Sequence, residues 1–235
     1  MNKLSCLISL LIFVAAIPAT KAFESIRIEQ TWQPQMPPSL MHRGVSEGKV
    51  VVVVAISAEG KLTDHLVVAY THEALVKPII EALKEWKYQP ASQEGVAVPA
   101  QVELTITLTA TGMLVASKSG LEMVESFLGR IVGNPFQYRV YRAREIDRIP
   151  LLTNALSPKY AEEALKDGLR GKVLVHFYID EKGATRMPCI EKSAHPYLSE
   201  IAVDAVRGWK FEPPTAKGTP VLVEVAQEFD FGGGQ

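Results

Sequence analysis

The 235-residue chain has few cysteines, almost no net charge and no long proline-rich stretch. Each absence excludes something. Its two cysteines are Cys6 and Cys189, and Cys6 falls in an N-terminal segment that reads as removable. That leaves Cys189 alone, so no internal disulfide can staple the fold. Cys189 stands in an apolar, strand-like stretch and reads as a small hydrophobe. The 25 Lys and Arg nearly balance the 26 Asp and Glu. No basic stripe is present to supply the phosphate electrostatics that dominate nucleic-acid affinity, so no nucleic-acid partner is expected. The five histidines (His42, His65, His72, His176, His195) are scattered without ligand spacing, which predicts no metal. There is no nucleophile elbow, P-loop or G-x-G-x-x-G. Asp180, Glu181 and Glu191 lie around a hairpin without a paired-carboxylate pattern. Gly232–Gly234 reads as a flexible tail. The chain is therefore expected to be no enzyme and to need no cofactor.

What is present begins with Leu4–Ala19, apolar apart from Ser5 and Ser9, preceded by Lys3 and followed by Thr20-Lys21-Ala22. A short basic region, an apolar core and a small-residue exit predict a secretory signal peptide over residues 1–22. Retention as an anchor is the alternative, but the run is shorter than the ~20 residues a spanning helix needs.

The organising feature is a repeat. Gly48–Gly95 aligns without a gap onto Gly171–Gly218, with 13 of 48 positions identical. Among them are G-K-V at Gly48 and Gly171, Gly60/Gly183, His72/His195, Leu75/Leu198, Trp86/Trp209 and Pro90/Pro213. Two homologous modules follow from it. Within each, β-branched runs at Lys49–Ser57 and Lys172–Asp180 predict buried strands. Glycine-bearing turns and second strands near Leu62–Tyr70 and Ala184–Lys192 complete hairpins. Leu75, Ile79, Leu83 and Trp86 share one helical face, as do Leu198, Ala202, Ala205 or Val206, and Trp209. Pro196 suits a first helical position, and Pro90 and Pro213 stand just past the helix ends. The equivalent His72 and His195, each before a helix, read as local capping or packing residues. Last strands are expected over Ala97–Thr109 and Pro220–Phe231. The fold class is therefore α+β, two tandem β-β-α-β modules, each a small antiparallel three-stranded sheet with a helix on one face. The structural signature is Trp86, Pro90, Trp209 and Pro213, the tryptophans as core anchors and the prolines as helix stops.

The expected divisions are 33–110 for the first module, 111–153 for a linker and 154–235 for the second. Ser119-Gly120-Leu121-Glu122 fits a capping box, and Leu121, Val124, Leu128 and Ile131 continue at helical spacing. Phe136–Arg142 (FQYRVYR) reads as an edge strand, and Lys159–Lys166 as a short helix.

The second module resembles the C-terminal domain of TonB-family proteins. The marks are P-x-Y at Pro158, G-K-V at Gly171, D-x-x-G at Asp180, S-x-H-P-x-L at Ser193, W-K-F-x-P at Trp209 and the apolar final strand. The first module keeps G-K-V, E-G-K and W-K-Y-x-P but lacks P-x-Y and H-P, as a diverged copy would. The resemblance implies a periplasmic protein of a Gram-negative-type envelope. It also implies binding of a short extended segment of an outer-membrane receptor along the open edge of the last strand, by strand addition. Here that edge maps to Val221, Leu222, Val223, Glu224, Val225 and Ala226. The same edge permits pairing between copies, so a homodimer or envelope scaffold remains open. Energy-transducing family members carry an anchor helix containing a histidine, then a long proline-rich spacer. Leu4–Ala19 has no histidine and the 15 prolines are dispersed.

Overall fold

The computed structural model describes residues 23–118, 136–154 and 168–232. The signal segment, the helices expected near 121–131 and 159–166, the P-x-Y entry and the last residues of the glycine tail lie outside them.

The first module opens with a short strand β1 (Arg27–Gln30), a single helical turn at Pro38–Met41, and the long strand β2 (Glu47–Ile56). Strand β3 (Leu62–Tyr70) returns antiparallel, then α1 (Val76–Glu85) is entered through one turn of 3-10 helix. The chain leaves α1 in extended conformation at Trp86 and forms β4 (Lys87–Gln89), which pairs with β1. The long strand β5 (Ala100–Thr109) then returns beside β2, and β6 (Met113–Lys118) folds back on β5. Two short strands follow at β7 (Tyr138–Arg139) and β8 (Tyr141–Arg142), then β9 (Leu152–Asn154). The second module comprises β10 (Gly171–Ile179), β11 (Thr185–Ser193), α2 (Pro196–Arg207), β12 (Lys210–Phe211) and β13 (Val223–Phe231).

Both helices bury the expected face. Leu75, Ile79, Ala82 and Leu83 are buried in the first module, and Leu198, Ala202, Ala205 and Val206 in the second. His195 caps α2, its Nδ1 accepting from the Tyr197 N–H at 3.2 Å, with Pro196 in the first turn. His72 makes no such cap; its Nδ1 lies 3.0 Å from the Thr71 hydroxyl.

The repeated glycines and the repeated W-K-aromatic stretch explain each other. Gly60 and Gly183 adopt φ of +75° and +81° in the hairpin turns. A Cβ on Gly60 would run into the Tyr88 carbonyl oxygen, and one on Gly183 into that of Phe211. The Phe211 N–H donates to the Gly183 carbonyl at 2.8 Å. Thus the turn packs backbone to backbone on the residue after W-K, where only glycine fits.

The last strands differ from expectation by one device used twice. Ala91–Gln93 pairs with Val96–Val98, and Thr215–Ala216 with Thr219–Pro220. The linking pairs Glu94-Gly95 and Lys217-Gly218 all have positive φ, the mark of a tight two-residue hairpin. The expected single strand from Ala97 is therefore interrupted at Pro99, and that from Pro220 resumes only at Val223.

The sheets are also wider than the expected three strands. The first has the order β6-β5-β2-β3-β7 and the second β8-β13-β10-β11, because chain outside the repeat adds strands to their edges. The two sheets pack face to face with a helix on each outer side. Val50, Val52, Val54 and Ile56 of β2 point to the α1 core, while Val51 and Val53 enter a cluster with Leu66, Val68, Val140, Tyr178, Met187 and Leu222. That is why Val50–Val54 is continuously apolar: both faces of β2 are covered. Polar links seal this layer. Arg186 Nη2 donates to Asp64 at 2.9 Å and the Gln101 amide to the Pro188 carbonyl at 3.1 Å. The Tyr138 hydroxyl donates to Glu181 at 2.5 Å.

Candidate partner-binding edge

Strand β13 pairs along its whole length with β10, from Ile179 opposite Val223 to Gly171 opposite Phe231. Its other side faces away from β10. The chain occupies part of it: β8 lies parallel to β13, with Tyr141 opposite Val223 and Arg142 opposite Glu224. The Tyr141 N–H donates to the Leu222 carbonyl at 2.8 Å. One residue earlier, the Val140 N–H donates to the Val68 carbonyl of the first sheet at 2.8 Å. Successive residues of one extended segment thus hold both sheets, and the Val140 side chain is buried between them.

The following turn locks this strap. The Arg139 guanidinium bonds both Glu145 carboxylate oxygens at 2.7 and 3.3 Å and lies over the Tyr141 ring. Burial would raise the Glu145 pKa, but hydrogen bonds from the Arg139 side chain and the Arg142 N–H outweigh it and hold the carboxyl below its ordinary value. Asp147 accepts from Lys217 and Gly218 N–H groups at 2.7 and 2.9 Å. Those bonds, Gly218's first, lower its pKa too. Strand β9 then pairs with β12.

The six residues assigned to the partner edge fall into two groups. Val221, Leu222 and Val223 are buried. The Glu224 side chain forms a 2.7 Å ion pair with His176 Nε2. Val225 packs partly on the α2-side core, and Ala226 is exposed. Beyond Glu224 no strand among the described residues covers the outer edge of β13. The Leu222 carbonyl points outward, and backbone polar groups alternate sides along a strand. Ala226, Glu228 and Asp230 therefore present theirs to that edge. All three are exposed, and Glu228 is tied to Lys172 at 2.7 Å.

The signature residues stand inside the modules. Trp86 is buried, and its indole N–H donates to the Trp32 carbonyl at 2.8 Å. Trp209 is half-buried among Phe177, Phe211 and Phe229, with ring centroids 5.5–6.1 Å away. Pro90 lies against the Gly60 turn; Pro213 is exposed just after β12. Among the described residues, no group of three His, Cys, Asp or Glu is placed to hold a metal, and no helix is long and apolar enough to cross a membrane.

Sequence reasoning missed the buried His176–Glu224 pair. The available signal was a broken repeat: His176 and Tyr178 stand where the first copy has Val53 and Ala55, on the face turned to the other sheet.

Two β-β-α-β modules in tandem, each with its helix on the outer face and a long final strand beside the first, define a duplicated sheet-and-helix protein. The chain belongs to the family described as Gram-negative bacterial TonB protein C-terminal, whose profile matches residues 24–108 and 157–232. It is 29% identical over 77 residues to the protein TonB of Vibrio cholerae serotype O1, covering 32% of each chain. It is 32% identical over 79 residues to the protein TonB of Xanthomonas campestris pv. campestris, covering 33% of this chain and 35% of that one. The chain spans about a third of the length of these relatives.

Proposed function

We propose that this is a periplasmic binding protein that takes an extended segment of an outer-membrane receptor, or another envelope protein, by strand addition to β13. Residues 1–22 serve as its secretory signal, and the modules at 33–110 and 154–235 act as one body joined by 111–153. The observation that carries the reading is the uncovered stretch Val225–Asp230, whose outward N–H and C=O groups have no strand partner among the described residues. Such an edge templates an incoming chain. The partner segment joins beyond the strap, at Ala226–Asp230, because Tyr141–Arg142 already pairs with Val223–Glu224.

Proline at Ala226 removes one outward N–H while leaving the β10 side intact, a placement edge strands tolerate. Ala226→Pro is expected to keep the circular-dichroism spectrum and lose capture of outer-membrane proteins from solubilised envelopes. Equal capture by both forms, or none by the wild type, would refute strand addition here.

A further inference from the structure

One polar cluster lies within the second sheet, apart from the open edge. His176 of β10 and Cys189 of β11 are directly opposed in the antiparallel ladder, so their side chains share a face. That face is the one turned to the first module, since His176 packs edge-on against Tyr178 of the inter-sheet cluster. From the other neighbouring strand, Glu224 places its carboxylate 2.7 Å from His176 Nε2. Cys189 stands beside the same imidazole on the opposite strand. Carboxylate, imidazole and thiol thus stand in line across three adjacent strands, β13, β10 and β11. A nucleophile within reach of a base that a third group orients is the arrangement that activates thiols.

Access is present as well. His176 is 8% exposed, but Cys189 is half-buried and lines a cleft of about 840 Å³ between the modules, with Gln101 and Pro188 beside it. Cys189 therefore borders the cleft, while His176 and Glu224 are not among its lining residues. Burial alone would lower the His176 pKa. Its hydrogen bonds to Cys189 and Glu224, with the charges of both, more than reverse this and raise it to about 10. At neutral pH the His176 imidazole therefore carries its proton. The other titratable and charged groups on this layer are Tyr178, the buried Glu103 of β5, which lies opposite Val53, and the Arg186–Asp64 and Tyr138–Glu181 pairs.

We propose that Cys189 is a thiol-exchange site for small disulfides of the glutathione class, with His176 and Glu224 as positioning residues. The Cys189 sulfur attacks one sulfur of the incoming disulfide. A new S–S bond forms to Cys189 as the old one breaks, and the departing thiolate takes its proton from water. No further oxidant is consumed, and the adduct extends into the inter-module cleft. The site is independent of strand addition: Ala226→Pro leaves it intact, so either reading can fail alone.

The test uses the full chain carrying Cys6→Ser and oxidised glutathione as the probe, with adduct mass and peptide mapping as readouts. Native protein is expected to gain one glutathionyl group on Cys189, at least about tenfold faster than the same chain in urea. His176→Ala should lose that advantage and regain it with added imidazole, a rescue that a merely structural role would not give. Glu224→Gln should lose part of it. Native protein reacting more slowly than unfolded protein would overturn the proposal. So would a folded His176→Ala that reacts at the wild-type rate. If His176→Ala does not fold, the wild-type native-to-urea ratio and Glu224→Gln decide the matter.

Discussion

Leu222→Ala tests whether the two modules are one cooperative structure. Leu222 is fully buried and belongs to the cluster between the sheets, with Val51, Val53, Leu66 and Val68 from the first module and Tyr178 and Met187 from the second. Its backbone carbonyl, which accepts from Tyr141, is unchanged by the substitution. The loss is therefore one of packing: the removed methyl groups cost their transfer free energy, and the cavity costs more because rigid strands cannot collapse into it. Buried Leu→Ala changes cost about 2–5 kcal/mol. Sheets from both sides frame this position, so the upper half of that range is expected. At this chain length each kcal/mol moves a melting midpoint by about 2–4 °C. Urea unfolding followed by tryptophan fluorescence is the assay, because Trp86 reports on the first module and Trp209 on the second. With Trp86→Phe and Trp209→Phe backgrounds, both reporters should shift together. A loss under about 1 kcal/mol, or a shift confined to the Trp209 reporter, would refute inter-sheet packing as a shared source of stability. Leu114→Ala, on an exposed edge position, is the control, expected within about 0.5 kcal/mol.

Gly183→Ala should destabilise by more than the about 1–3 kcal/mol of left-handed strain, since its Cβ also meets the Phe211 carbonyl; thermal melting against Gly60→Ala should show comparable losses. Tyr138→Phe removes the bond to Glu181 but keeps the stack on Tyr70, so a loss of about 1–2 kcal/mol in denaturant titration is expected. The His176 pKa is raised from 6.5 to about 10 on folding. Its contribution to stability is therefore fully present below pH 6.5 and disappears as pH rises through 10. Urea midpoints compared between wild type and His176→Gln should converge across that window, and a gap that widens with pH would contradict the sign.

Much of the module was legible because each signal had a local cause. Leu62–Tyr70 is a strand over the residues its pattern marked, and the helices bury the predicted stripes. The repeat itself announced two modules. What escaped was everything that depends on where the modules meet. Val51 and Val53 read only as part of an apolar strand, and nothing local says their face meets a second sheet. The parallel pairing of Tyr141–Arg142 with Val223–Glu224 joins residues some eighty positions apart through chain that carries no repeat signal. Phe136–Arg142 was legible as an edge strand, but not as one shared between two sheets. His176, Cys189 and Glu224 look unrelated in sequence because three strands in sheet order 13-10-11 bring them together. For the candidate edge, pattern identified the strand, and only the structure divides it into a strapped half and an open half.

The shared layer between the sheets also bears on ancestry. A lone sheet-and-helix unit could keep water on its free sheet face, and a duplicated gene could at first have carried two such units independently. Val51, Val53, Leu66 and Val68 on one side, and Tyr178, Met187 and Leu222 on the other, form apolar surface that neither copy could expose alone. The strap that reaches both sheets lies between the copies and belongs to neither. Duplication here has become a one-way step: deleting either copy now strands the other with an unmated face, so the pair is inherited as a single unit.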